Sequence, residues 1–273
     1  MQIRIFCLPI FTGMLFQFIA DYLKHRLTAK SRHGTHSPFV YKLVDEVIYD
    51  FSGKKVYKGI EKQRKKLSHD DTLLSVTDGE PRSERQISKL KKVSALAKNT
   101  ARKVNLGQLI YRLAKNHGGQ KIIELGTSLG MTTAYLAKAN PTATVVTMEH
   151  DPEKAKIAYQ NFIELELTNI ELQVGDVNQL LQTELESTSC LDLVYIDSHY
   201  TKQAALNYFH LCLPKTDEDT LLIFEAIYWN KGMKEAWEEI KQHPQVTVTI
   251  DLFWIGLVYF RKGQVKEHFK IKF

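Results

Sequence analysis

Four acidic residues stand where short apolar runs end: Glu124, Glu149, Asp176 and Asp197. The turn after the first reads Glu124-Leu125-Gly126-Thr127-Ser128-Leu129-Gly130. Glycines in such a turn let the chain reverse sharply and let backbone approach a ligand. A dinucleotide fingerprint would need glycine at 126, 128 and 131, but serine and methionine hold the last two places. No Gly-Lys-Ser/Thr follows, which excludes a P-loop. A carboxylate here repels a pyrophosphate and suits a ligand with an amino group and a sulfonium. Glu149 can accept hydrogen bonds from both hydroxyls of a ribose, with His150 beside it. Gly175-Asp176 offers an acceptor to an adenine amino group. Thr127 and Ser128 complete the candidate cofactor set. A single strand-end acid also has a plainer job, capping a helix; four of them with these glycines point to one crevice.

The elements that must position these residues follow from periodicity. After Gly119, β-rich runs at 121–125, 144–149, 170–175, 191–197 and 220–225 alternate with helical patterns at about 129–139, 152–165, 177–186, 201–212 and 231–242. Continuous apolar strands between helices mean a parallel sheet covered on both faces. Runs at 246–253 and 256–261 lack a helix between them, and Gly256 separates them, so they read as an antiparallel hairpin. Five strand–helix units and a hairpin make a seven-strand α/β plan. Such a sheet binds ligands beyond the carboxyl ends of its strands.

Residues 1–118 are expected to form a basic helical region that walls the substrate, and 119–273 the cofactor-binding domain. The first part holds 23 Lys and Arg against 10 Asp and Glu; the second holds 14 against 21. Ser37-Pro38 starts a helix, with serine as N-cap and proline at the first helical position. Residues 52–70 read as a helix, 68–82 as a loop, and 84–117 as helical again, stopping at Gly118-Gly119. The basic run Lys54, Lys55, Lys58, Lys62, Arg64, Lys65, Lys66 has two readings, an RNA-binding stripe or a solvated helix face.

Residues 5–20 are the most apolar stretch, interrupted by Pro9 and Gly13 and short for a membrane span. Cleavage signals are poor, and Met14 is an alternative natural start. From Met14, apolar residues at 15, 16, 18, 19, 22, 23 and 27 give an amphipathic helix. Three scattered cysteines form no C-x-x-C pair, which argues against a disulfide scaffold and for a reducing, cytoplasmic setting. With 44% hydrophobic and 25% charged residues, collagen-like, coiled-coil and wholly disordered chains are excluded.

Residues 122–137, 145–158, 174–177 and 191–200 and the closing hairpin together resemble class I S-adenosylmethionine-dependent methyltransferases. The chain is also similar to a bacterial group of such enzymes with an N-terminal His-x-x-His-Ser-Pro-Phe element, here His33 to Phe39. The resemblance implies a Rossmann-like, mostly parallel sheet of order 3-2-1-4-5-7-6 whose last strand is antiparallel. It implies S-adenosyl-L-methionine as cofactor, with Glu124, Gly126 and Gly130 at its methionine end, Glu149 at the ribose and Asp176 at the adenine.

Asp197 ends the fourth run, where family members place a residue facing the transferred methyl. His199 is the nearby candidate general base, since its reference pKa lies near 6.5; a helix-capping histidine is the alternative. Tyr200, Tyr228 and Trp229 are candidate acceptor contacts, or simple packing. The run Asp197-Ser198-His199-Tyr200 lacks the Pro-Pro of base-N methyltransferases and is nearer to catechol-type O-methyltransferases. Those bind a divalent cation with a further Asp-Asn pair after strand five. Here Glu225-Ala226 stands there, and alanine cannot ligate, so metal use stays open. The functional expectation is O-methylation of a small molecule. An RNA methyltransferase and a catalytically lapsed binding module are the alternatives.

Overall fold

The computed structural model describes residues 12–31, 36–78, 87–100 and 104–273. His33 and the start of the apolar stretch lie outside them. The amphipathic period near the amino end forms α1 (Thr12–Thr28). Its inner face carries Phe18, Tyr22 and His25, whose rings pack on Phe253. No helix among the described residues is long and apolar enough to cross a membrane.

Ser37 caps α2 (Pro38–Leu43) as its type and place predict, accepting from Val40 N at 3.4 Å. The helix runs on into a π-helical turn, Val44–Ile48. Buried Arg112 satisfies carbonyls there, donating from Nε to Val47 O at 2.7 Å and from Nη2 to Ile48 O at 3.1 Å. α3 (Lys55–Leu67) buries Tyr57, Ile60, Gln63 and Leu67 and turns Lys58, Lys62 and Lys65 outward.

Next the structure departs from the expected loop and long helix. β1 (Leu73–Asp78) and β2 (Ile87–Lys92) pair antiparallel. Leu74 and Val76 are buried while Leu73 and Ser75 face out, which is a strand period of two. Among the described residues of 84–117, helix is confined to α4 (Val93–Thr100) and α5 (Val104–His117).

The remaining elements alternate as expected. They are β3 (Lys121–Leu125), α6 (Met131–Ala139), β4 (Thr144–Glu149), α7 (Pro152–Glu164), β5 (Ile170–Val174), α8 (Val177–Ser187), β6 (Leu193–Ile196), α9 (Lys202–Cys212), β7 (Leu221–Glu225), α10 (Lys231–Gln242), β8 (Val248–Asp251), β9 (Ile255–Tyr259) and β10 (Glu267–Lys270). The sheet order is β10-β8-β9-β7-β6-β3-β4-β5. Counted from β3, this is the expected 3-2-1-4-5-7-6 order with β9 antiparallel. An eighth strand, β10, adds in parallel to β8 and was not expected. Gly256 is also placed differently: it lies within β9, and its missing side chain admits the Trp237 ring, which would stand 2.5 Å from a Cβ.

Successive strand residues serve opposite cores. Ile122, Val145, Leu193 and Leu221 pack with α2, α5 and α6, while Ile123, Val146, Val194 and Leu222 pack with α8, α9 and α10. α2, α3 and α5 therefore share one continuous core with the sheet, and the face they cover is the one on which Glu124, Tyr195 and Glu225 lie.

Candidate functional site

At the end of β3 the Glu124 side chain is fully buried. Its Oε2 accepts from Thr133 Oγ1 at 2.5 Å and from Thr147 Oγ1 at 2.6 Å. Its Oε1 is buried without a hydrogen-bond partner. Burial pushes this carboxyl up to about 8, the two threonine hydroxyls pull it down, and the charges of Glu149 and Glu225 add to the rise. Glu124 on β3 thus feels the acids that end β4 and β7.

The turn that follows is tight. Gly126 has φ +101°, and a Cβ there would lie 2.2 Å from the carbonyl oxygen of Asp197. Only glycine fits so close an approach of two strand-end loops. Gly126 N and Thr127 N both donate to Met148 O, at 2.9 and 3.2 Å. Thr127 and Thr147 hydroxyls lie 2.6 Å apart. Ser128 has φ +51°, a strained value for a residue with a side chain, and Gly130 starts α6 at φ +78°.

Glu149 locks that turn to the next strand. Its Oε2 accepts from Ser128 N at 2.7 Å, and its Oε1 accepts from Asp151 N at 2.9 Å. His150 Nδ1 lies 3.1 Å from the same Oε1. Burial raises the Glu149 carboxyl, but the His150 contact, the Lys154 charge and the Asp151 amide outweigh it and hold it below the ordinary value. The same contact with Glu149 raises His150, against a smaller opposing effect of burial. Asp176 sits at the end of β5 and caps α8, with Oδ1 accepting from Asn178 N and Gln179 N at 2.9 and 3.1 Å.

The loop after β6 brings the other candidates together. Asp197 N donates to Leu125 O at 2.8 Å, tying the loop to the first crossover. The Tyr200 hydroxyl donates to Asp197 Oδ1. His199 is held at φ +47°, with its Nδ1 2.7 Å from the Tyr208 hydroxyl and 2.8 Å from the Ser198 hydroxyl. The His199 and His150 rings are 5.7 Å apart, so the two loops face each other. Trp229 is 46% exposed and its ring is 6.1 Å from that of Tyr200, at the mouth.

Tyr228 points elsewhere. It stacks on Phe253 at 4.8 Å and donates to Asp251 Oδ2 at 2.7 Å. Asp251 Oδ1 lies 3.0 Å from buried His25 Nε2. Sequence reasoning missed Thr133, Thr147, Tyr195, Tyr208, Asp251 and His25. Their signal is tertiary: Tyr195 and Glu225 sit on adjacent strands, and the Tyr195 hydroxyl donates to Glu225 Oε2.

The donor set does not fit the divalent cation of catechol-type enzymes. Asp197 and Glu225 each accept a tyrosine hydroxyl, and Ala226 has nothing to offer. Among the described residues no group of three or more His, Cys, Asp or Glu is arranged to hold a metal. A sulfonium nucleoside fits better, because the buried Glu124 Oε1 lacks a partner beside the Gly126 turn.

Residues 123–227 match the family model described as a methyltransferase domain. A catechol O-methyltransferase from Niastella koreensis is 29% identical over 126 residues, 45% of this chain and 56% of that protein. The chain thus matches only about half the length of this relative. An O-methyltransferase from Bacillus cereus in complex with SAH is 19% identical, with 77% of this chain and 93% of that one covered at a TM-score of 0.53. An SAH-bound methyltransferase from Podospora anserina is 11% identical, with 84% and 98% covered at 0.58. Residues 123–227 are thus similar to methyltransferase domains, and the chain shares the Rossmann-like fold of these solved methyltransferases.

Proposed function

We propose that the chain is a cytoplasmic S-adenosylmethionine-dependent methyltransferase that methylates an oxygen of a small molecule. The observation that carries the reading is the buried Glu124 carboxyl with its unpartnered Oε1 beside a glycine turn that admits no side chain. Glu124 and the amides of 126–130 would hold the methionine end, Glu149 with His150 the ribose, and Asp176 the adenine. To take the ribose, Glu149 exchanges part of its bond to Ser128 N for the incoming hydroxyls. When bound, the cofactor supplies an electrophilic methyl carbon on a cationic sulfur.

The chain must align an oxygen nucleophile with that carbon and remove its proton. Asp197 and Tyr200 would orient the acceptor, and Trp229 would cover its flat face. His199 would act as the base. When its Nδ1–H donates to the Tyr208 hydroxyl, Nε2 carries the lone pair that takes the proton. Tyr228 packs inward on Phe253, so we place it behind the acceptor wall. The N-terminal helices complete that wall, α1 through His25 and Asp251.

Charge pairing favours a small acceptor over RNA. Three cations of the basic run are already paired: Lys54 with Asp50, Arg64 with Glu61 and Lys66 with Glu164, at 2.7–2.8 Å. The test is incubation of methyl-labelled cofactor with protein and fractionated cell extract. Label entering the small-molecule fraction and resisting base hydrolysis supports an ether product. Label in RNA would replace this reading with the nucleic-acid one, and label nowhere would point to a lapsed enzyme.

A further inference from the structure

We propose that tyrosine hydroxyls and an alanine exclude a divalent cation from this site, so that methyl transfer here is cation-independent; the inference rests on the methyltransferase reading. The edge of the sheet over β6, β7 and β8 presents three carboxylates, Asp197, Glu225 and Asp251. Each accepts a tyrosine hydroxyl: Tyr200 on Asp197, Tyr195 on Glu225 and Tyr228 on Asp251. A magnesium-like ion demands near-octahedral oxygen ligands and sheds water reluctantly, so it needs carboxylate oxygens turned towards it. Here a tyrosine hydroxyl already holds one oxygen of each carboxylate and fixes its orientation.

Two of the three pairs cannot be reopened cheaply. Tyr195 is fully buried between β3 and β7, opposite Glu124 in register, and has no space to swing aside. Asp251 also accepts from Phe253 N at 2.9 Å and pairs with buried His25. Asp197–Tyr200 is the open pair, half-buried at the mouth. Beside it, Ala226 has φ +59°. That left-handed conformation is one asparagine adopts readily and alanine adopts at a cost. The backbone is therefore shaped for a ligating amide, while the side chain supplies none. Proton removal from the acceptor falls to a side chain instead of a metal-acidified oxygen.

The inference is tested by titrating Mn²⁺ into the full chain and following the free-ion paramagnetic resonance signal, with and without saturating SAH. Wild type and Asp197→Asn should give superimposable curves. A tighter curve for wild type that Asp197→Asn abolishes would overturn the proposal. The double variant Tyr200→Phe/Ala226→Asn, checked for folding by circular dichroism, should remove free ion in one-to-one proportion. A folded double variant that takes up no more Mn²⁺ than wild type would also overturn it. SAH binding is measured separately: its failure would remove the methyltransferase reading, while the cofactor-free curves would still decide whether the site excludes a cation.

Discussion

The two halves of the sheet's carboxyl edge hold their acids by different means. Over β3 and β4 the partners are backbone amides and threonine hydroxyls. Glu149 is gripped by the amides of Ser128 and Asp151, and Glu124 by two threonines between 133 and 147. Over β6, β7 and β8 the partners are tyrosine hydroxyls, 3 residues away for Asp197, 30 for Glu225 and 23 for Asp251. Backbone amides persist through substitution, so the grip on Glu149 suits the unvarying cofactor we propose there. Side-chain pairs can be exchanged one by one, as the tyrosine pairs of the second half can.

Three substitutions separate the two halves. The largest effect belongs to Glu124→Gln. The folded carboxyl lies at about 8 against an ordinary 4.5, so the unfolded chain loses its proton first. Wild-type stability should therefore fall as pH rises from about 4.5 to about 8, by up to about 5 kcal/mol. Glutamine removes that slope. Urea unfolding of both proteins across the window checks it; parallel curves would show that Glu124 is not held protonated by burial. Asp251→Asn should cost about 2–3 kcal/mol by breaking the buried link to His25, and leave SAH affinity unchanged. A matching loss of SAH affinity would show that the halves are one site. Glu149→Gln should weaken SAH about tenfold, equivalent to 1.4 kcal/mol, with little change at the acceptor mouth.

The Glu149–His150 pair adds a smaller pH effect. His150 is raised above 6.5, so its share of stability is complete below 6.5 and is lost as pH rises through the folded value. Glu149 is lowered beneath 4.5, so its share is complete above 4.5 and is lost as pH falls through the folded value.

What could be read from sequence follows the same division. The five strand–helix units after Gly119 match the elements to within about two residues, because a parallel sheet writes itself as apolar runs between helical periods. The β1–β2 pairing was hidden because Lys89, Lys91 and Lys92 of β2 mask its alternation. β10 reads Glu-His-Phe-Lys and has no strand signal of its own; its place is set by β8. Glu124 and Glu149 were legible from strand ends. The Tyr195–Glu225 pair was not, because it depends on which faces of two adjacent strands meet. His25 and Asp251, 226 residues apart, leave no local trace.

Calorimetric titration of the purified chain with S-adenosylhomocysteine puts the whole account at risk. One molecule should bind per chain, with affinity that drops in Glu149→Gln and survives in Asp251→Asn. A wild-type protein that is folded and gives no binding heat at several temperatures would contradict it.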